Sequence, residues 1–247
     1  MRPINRGNIP TLASGLPKTV SNYRSWRADL IDRLGFYCCF CNMPLKDSTQ
    51  VEHVIAQDID ATKALDWDNM LLACGPCNRT KSASPCPPGT HYLPQYHNTH
   101  LAFEYFVSTT IINGQPSAFV RHIGAGCDAV KSNNTITLCA LDRDTTRTIS
   151  QATDLRWKYR SEAILKSLIW RQEYDDWAHS NLPGFINLLR TIVQESGFWS
   201  IWYHTFSDVP AIRKMLVEDF PGTDRGCFNP ATFLPVAKTP RSPGDVI

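Results

Sequence analysis

Two cysteine pairs decide how this chain folds: Cys38-Cys39-Phe40-Cys41 and, further along, Cys74-Gly75-Pro76-Cys77. The two pairs are separated by 32 residues. Two cysteines in one tight turn can bind the same ion at ~2.3 Å, and two such turns complete a tetrahedron of thiolates around zinc. The spacing therefore predicts a structural zinc site formed by Cys38, Cys41, Cys74 and Cys77. Four thiolates fill the coordination sphere of the ion, so it has no open coordination position for catalysis.

The cysteines also allow other interpretations. Buried free thiols or a redox-active Cys-x-x-Cys would each explain one pair and leave the second pair unexplained. Cys39, inside the first pair, offers a sulfur that could replace that of Cys38. The remaining cysteines are expected to be small apolar side chains: Cys86, Cys127, Cys139 and Cys227.

The composition is that of an ordinary globular protein, with 247 residues, 43% of them hydrophobic and 19% charged. The sequence contains no run of the ~18 consecutive apolar residues that a membrane-spanning helix needs. No apolar run follows the basic start Met1–Gly7, so we expect a cytoplasmic protein without a secretory signal. A reducing compartment favours metal-bound thiols over disulfides. The formal charge of +2 does not by itself indicate a nucleic-acid partner.

Shifts in composition and stretches rich in proline and glycine divide the chain into five predicted regions. We expect an irregular arm (1–20), a compact domain around the cysteine pairs (21–90), a connector of loops and short strands (91–150), a helical region (151–228) and a disordered tail (229–247). Apolar residues at helical spacing from Tyr23 to Leu34 predict a helix that stops at Gly35. Two β-type runs, Phe103–Ile112 and Thr135–Leu141, predict short strands in the connector.

The helical region contains two apolar stripes and a third, shorter segment. Ile164, Leu165, Leu168 and Ile169 form one stripe, and a second runs from Phe185 to Val193, between Pro183 and Gly197. A further short helix is predicted from Asp208 to Asp219.

The interval between the cysteine pairs carries a recognisable pattern of polar residues. Glu52-His53 is followed by Asn69 and then by Asn78-Arg79-Thr80-Lys81, directly behind the second pair. This order resembles the HNH endonucleases of the ββα-metal, or His-Me finger, group. The resemblance implies an α+β fold: a ββα-metal nuclease core in residues 21–90, stapled by the four-cysteine zinc site and followed by a mostly α-helical C-terminal region.

The chemistry of phosphodiester hydrolysis fits the same residues. Hydrolysis needs a base to activate water and a cation to neutralise charge on the phosphate. His53 suits the base, because imidazole titrates near neutral pH. Glu52 and Asn78 offer oxygen ligands for Mg²⁺ or Mn²⁺, and Asn69 is expected to hold the catalytic loop by hydrogen bonds. Arg79 and Lys81, at the start of a helix, are expected to contact nucleic-acid phosphates.

Some features depart from this scheme. Adjacent residues on a regular strand point to opposite faces, so Glu52 and His53 converge only if the strand ends or bends there. Many HNH nucleases have histidine where Asn78 stands, although asparagine keeps a metal-binding oxygen. A proline often follows the Glu-His element, and this chain has Ala56 at that place.

Other segments resemble a subset of the family. The stretches Arg2–Gly7, Tyr23–Tyr37, Ser196–Trp202 and Phe220–Thr223 are similar to stand-alone bacterial HNH proteins, some of which act beside an ATPase in Septu-type or retron anti-phage defence. The resemblance implies an ATPase partner, cleavage of DNA, and products with 5′-phosphate and 3′-hydroxyl ends. The sequence itself contains no phosphate-cradling ATPase loop.

Two alternatives to DNA cleavage remain open. One is a zinc-ribbon module that binds DNA or protein without cutting, and the other is the same site acting on RNA. Basic residues in the last third offer a second phosphate-binding surface or, alternatively, a solvated helix face: Arg143, Arg147, Arg156, Lys158 and Arg160.

Overall fold

The computed structural model describes residues 1–46, 48–112, 115–124, 126–143, 154–178, 180–238 and 247. Its helices are α1 (Arg27–Leu34), α2 (Gly75–Lys81), α3 (Ala129–Cys139), α4 (Arg156–Trp177), α5 (Leu182–Ser196), α6 (Trp199–Thr205) and α7 (Pro210–Glu218). Its strands are β1 (Gln50–His53), β2 (Met70–Ala73), β3 (Phe103–Ile112) and β4 (Gln115–His122). Short 3-10 turns span Tyr23–Trp26, Ala61–Lys63, Trp67–Asn69 and Arg225–Cys227.

The helix that precedes the first cysteine pair ends as predicted, but its first four residues form a 3-10 turn. The turn Tyr23–Trp26 leads into α1, and Gly35 ends α1 with a φ of 73°. Glycine adopts this left-handed region without a steric penalty. α1 buries Leu30 and Leu34, so it forms one wall of the core behind the cysteine pairs.

The interval between the cysteine pairs folds into an antiparallel hairpin followed by a helix. β1 pairs with β2 so that Glu52 lies opposite Leu71 and His53 lies opposite Met70. α2 starts directly after β2, with the Cys74 side chain as its N-cap and a proline in its first turn. Proline suits this position because the first helical N–H groups need no partner within the helix. The result is a ββα unit with β1 and α2 side by side.

One of the two predicted strands of the connector is wrong. Phe103–Ile112 forms β3, which pairs with β4, but Thr135–Leu141 falls at the end of α3 and just beyond it. The Asp128 side chain accepts hydrogen bonds from the first backbone N–H groups of α3. This cap, together with burial of Ile136 and Leu138, outweighs the weak β propensity of the segment.

The C-terminal helices confirm the predicted helical region, with differences in detail. α5 and α7 occupy the expected segments, and Phe185, Leu189 and Val193 are fully buried. The predicted stripe on α4 is wrong in part, because Leu168 and Ile169 are 56% and 60% exposed. α6 was not predicted, because a helix of seven residues is too short to show a helical period in the sequence.

Both ends of the described chain lie against the rest of the molecule. Ile4 donates its backbone N–H to the Pro94 carbonyl, and the side chains of Met1 and Ile4 are buried. The sequence predicts disorder for residues 229–247, but residues 229–238 are ordered: the Lys238 ammonium lies 2.6 Å from the Asp224 carboxylate. Residues 239–246 lie outside the described part of the chain.

The buried side chains form two large clusters and agree with the predicted α+β class. One cluster surrounds the cysteine pairs, the ββα unit and α3, and the other lies among α5, α6 and α7. The division into five regions stays a prediction. None of the described helices is both long and apolar enough to cross a membrane.

Candidate functional site

The four predicted cysteines come together in one buried cluster. The sulfurs of Cys38, Cys41, Cys74 and Cys77 all lie within 4.8 Å of one another, and none of these residues is more than 4% exposed. The sulfurs of Cys41 and Cys74 are 3.7 Å apart. A tetrahedral zinc ion with bonds of ~2.3 Å requires sulfurs about 3.8 Å apart. The cluster therefore has the donors and the spacing that zinc requires.

The cluster contains Cys38 and not its neighbour Cys39. Cys39 is buried elsewhere in the same core, where burial raises the pKa of its thiol to about 12. In the first pair the Cys41 backbone N–H points at the Cys38 sulfur at 3.5 Å. The Cys77 N–H makes the same contact with the Cys74 sulfur at 3.5 Å. Both pairs thus form the tight turn that brings two sulfurs to one ion.

His53 is the last residue of β1 and is held from two sides. Its Nε2 lies 3.0 Å from the Ala64 carbonyl oxygen. A carbonyl oxygen only accepts, so this contact places the proton of a neutral imidazole on Nε2 and leaves the lone pair on Nδ1. The Tyr23 ring packs on the imidazole with 4.5 Å between ring centroids. Sequence reasoning missed Tyr23 in this role, since its position fits the buried stripe of the preceding helix equally well.

Asn69 is buried and braces the loop of residues 54–64. Its side-chain oxygen accepts from the Ile55 N–H at 2.7 Å, and its amide nitrogen donates to the carbonyls of Ile55 at 2.8 Å and Lys63 at 3.0 Å. The Lys63 carbonyl belongs to the residue just before Ala64. One amide side chain therefore fixes both ends of the loop that presents the carbonyl facing His53.

His53 and two further predicted residues line one open cleft. This cavity of about 220 Å³ lies beside the end of β1 and the C-terminal half of α2, and its walls include Tyr23, Glu52, His53, Asp58 and Asn78. β1 ends at His53, so adjacent residues reach the same cleft as the prediction requires. Asn69 is not among the lining residues and acts on the cleft through the loop. Asp58, exposed at the rim, is a carboxylate that sequence reasoning did not select.

The oxygen donors in this cleft suit a hard divalent cation. The amide nitrogen of Asn78 donates to Gln50 Oε1 at 2.8 Å, which leaves the Asn78 side-chain oxygen as the free acceptor. Glu52 adds a carboxylate, and Asp58 lies nearby. Oxygen ligands of this kind hold Mg²⁺ or Mn²⁺. Gln50, the first residue of β1, was missed because a glutamine at a strand end carries no distinctive pattern.

The predicted role of Lys81 as a phosphate contact is wrong. Its side chain is fully buried, with Nζ 2.9 Å from Glu52 Oε1 and 2.8 Å from the His53 carbonyl oxygen. Burial raises the pKa of Glu52, and the Lys81 ammonium opposes that rise. Arg79 is exposed, but it lies with Lys81 in the last turn of α2 and not at its start. Lys81 is thus the internal counter-ion of Glu52.

Comparison with known families identifies a match for the segment that forms this site. Residues 38–84 match the family model described as HNH endonuclease. The matched residues 38–84, which we call the HNH segment, hold the four cysteines, both strands of the hairpin and α2, together with every residue predicted for the site. The match supports the HNH family and nuclease activity in general. Curated proteins and solved structures give no match to the chain.

Outside the HNH segment, the predicted second phosphate-binding surface is wrong for two of its members. Arg156 and Arg160 are only 2% and 1% exposed, and Arg156 contacts the Cys77 sulfur at 3.0 Å. Arg143 lies 3.4 Å from the Asp154 carboxylate. Lys158 is exposed, and Arg147 lies outside the described residues. Arg156 and Arg160 are therefore structural groups of the core.

The buried ion pair of the HNH segment leads to a stability prediction. Replacing Lys81 by methionine keeps the aliphatic stem and leaves Glu52 buried without its counter-ion. We expect the free energy of unfolding to fall by about 3–5 kcal/mol, measured by urea titration with tryptophan fluorescence. The matched control is Arg79→Met on the same helix, which should change the free energy of unfolding by no more than ~0.5 kcal/mol. Equal effects of the two substitutions would contradict the internal role of Lys81.

Proposed function

We propose that this protein is a divalent-metal-dependent endonuclease that hydrolyses phosphodiester bonds of DNA in the cleft beside β1. The observation that carries the proposal is the meeting of His53, Glu52 and Asn78 in one open cleft inside the HNH segment. A base and two oxygen ligands within one cavity are the groups that metal-assisted phosphodiester hydrolysis uses.

His53 acts as the general base in this proposal. Its Nδ1 lone pair takes a proton from the attacking water, and the Ala64 carbonyl holds the opposite N–H in place. The same carbonyl stabilises the imidazolium that forms, since its negative end faces the ring. Asn69 sets the position of this carbonyl through the loop. Tyr23 restricts rotation of the ring from its open face.

Glu52 and Asn78 hold the cation, with Asp58 available at the rim. When bound, Mg²⁺ or Mn²⁺ supplies positive charge to the phosphate and to the departing oxygen. Lys81 engages one carboxylate oxygen of Glu52, and a carboxylate retains further acceptor positions. Arg79, which is exposed and follows Asn78 on α2, is the candidate contact to the nucleic-acid backbone. The family resemblance implies 5′-phosphate and 3′-hydroxyl products.

Omitting the divalent ion should abolish cleavage while leaving the fold unchanged. The test is to incubate zinc-loaded protein with supercoiled plasmid, single-stranded DNA and tRNA, each with Mg²⁺, with Mn²⁺ or with neither ion. We expect the plasmid to be nicked and linearised only with Mg²⁺ or Mn²⁺, at unchanged zinc content and circular dichroism. Cleavage of tRNA alone would assign the same site to RNA. Binding without cleavage under any condition would favour the non-catalytic zinc-ribbon module.

We further propose that the nuclease acts in the cytoplasm as an effector of anti-phage defence, together with an ATPase partner. Support comes from the resemblance of the segments at both ends of the chain to defence-associated HNH proteins. Support also comes from the four-thiol cluster, whose reduced state suits a cytosolic environment. The experiment is affinity purification from cells that carry the native gene neighbourhood, followed by phage challenge with the parent and with His53→Ala. Protection that survives His53→Ala would contradict the effector role of this site.

A further inference from the structure

Arg156, the first residue of α4, is buried against the four-cysteine cluster. Its side chain is 2% exposed, and one terminal nitrogen, Nη1, lies 3.0 Å from the Cys77 sulfur. Arginine is rarely buried without a compensating partner. A guanidinium N–H pointing at a sulfur that binds zinc is a charge-assisted donor to a negatively charged acceptor. The contact therefore makes physical sense when Cys77 is a metal-bound thiolate.

The other donors of Arg156 bind chain segments that follow the HNH segment. Nη1 also donates to the Cys139 carbonyl at 2.8 Å, and Nη2 donates to the Ala140 carbonyl at 3.1 Å, both at the C-terminal end of α3. Nε and Nη2 bind the two Asp154 carboxylate oxygens at 2.8 and 2.6 Å. One side chain thus joins the cysteine cluster, the end of α3 and the start of α4.

The negative charge of a zinc-bound cluster also accounts for the buried arginines beside it. Four thiolates around Zn²⁺ carry a net charge of about −2, and a buried charge of this size needs compensation. Arg160 lies one helical turn beyond Arg156 and is 1% exposed. Its Nη1 donates to the Ala118 carbonyl, while Nε and Nη2 have no partner within the described part of the chain. The N-terminal part of α4 therefore buries two guanidinium groups, and that of Arg156 is in contact with the cluster.

We propose that Arg156 is a positioning residue of the zinc centre, which stabilises the negatively charged Cys77 sulfur and couples zinc retention to the docking of α4. Cys77 directly precedes Asn78 on α2, so the same contact ties α4 to the helix that lines the cleft. The inference concerns how zinc is held, and it does not depend on nuclease activity. Hydrogen-bonding groups around metal ligands commonly change metal affinity by ~10- to 100-fold when removed.

The test compares the rate of zinc transfer from the folded, full-length protein to a chromogenic chelator. We expect Arg156→Gln to raise this rate by ~10- to 100-fold. Arg156→Lys keeps the charge without the forked donors and should give an intermediate rate. The matched control is Lys158→Gln on the same helix, where the side chain is 49% exposed, and it should transfer zinc at the parental rate.

Two further variants separate zinc binding from general destabilisation. Asp154→Asn weakens the other partner of Arg156 and should lower the unfolding temperature, but it should accelerate zinc transfer less than Arg156→Gln does. If Arg156→Gln does not fold, the comparison of Arg156→Lys with Lys158→Gln decides. Zinc transfer at the same rate in the Arg156 variants and in Lys158→Gln would overturn the proposal. So would an Asp154→Asn rate as high as that of Arg156→Gln.

Discussion

Replacing His53 by alanine is expected to slow plasmid cleavage by ~10²–10⁴-fold, the usual contribution of a positioned general base. His53 is the group in the cleft whose geometry leaves a basic nitrogen free, because the Ala64 carbonyl fixes the proton on Nε2. Glu52 has a different role in the proposal, because its carboxylate is assigned to the cation and is paired with Lys81. The measurement is the initial rate of conversion of supercoiled plasmid to nicked plasmid in Mg²⁺.

The loss should occur without unfolding, because His53 is only half-buried and its imidazole contacts the loop through the Ala64 carbonyl. Circular dichroism and zinc content of His53→Ala should match those of the parent. His204→Ala is the matched control: this histidine is exposed on α6, outside the cleft, and its removal should leave the cleavage rate unchanged. Cleavage by His53→Ala at the parental rate would place the active site elsewhere.

The parts of the site that could be predicted from the sequence are those with local signals. Two Cys-x-x-Cys turns are sufficient to bring four sulfurs together, whatever the path between them. The hairpin and α2 are implied by the resemblance of this segment to HNH endonucleases, and a proline in the first helical turn fits the start of α2. The convergence of Glu52 and His53 requires the strand to end there, and β1 does end at His53.

The parts that could not be predicted depend on partners far along the chain. From the sequence, Lys81 is expected to contact phosphate. Only the packing of β1 against α2 shows that its side chain contacts Glu52. Arg156 looks like a surface cation, although its partner Cys77 lies 79 residues earlier. The local sequence does not show whether a long cationic side chain is solvated or buried with a partner, because its environment is set by tertiary packing. The same reason explains Leu168 on α4, which fits an apolar stripe but faces outward.

Removing one zinc ligand should have the largest effect on stability. Cys74→Ala leaves three sulfurs in a buried cluster, and zinc that contributes on the order of 10 kcal/mol to folding is lost or held weakly. Domains of this kind are stable by only ~5–15 kcal/mol. The HNH segment should therefore unfold at ordinary temperature, with less than half an equivalent of zinc retained. The measurements are zinc content by mass spectrometry and unfolding followed by circular dichroism.

Cys39→Ala is the matched control for this substitution, because it removes the same atom from a cysteine that is also buried and only two positions from Cys41. Cys39 lies outside the cluster, so the variant should keep one equivalent of zinc and lose only the packing of one sulfur. Zinc loss in Cys39→Ala equal to that in Cys74→Ala would mean that Cys39 is a ligand. If Cys74→Ala kept full zinc content and parental stability, the cluster would be a group of buried thiols, and the HNH segment would owe its fold to the hydrophobic core alone.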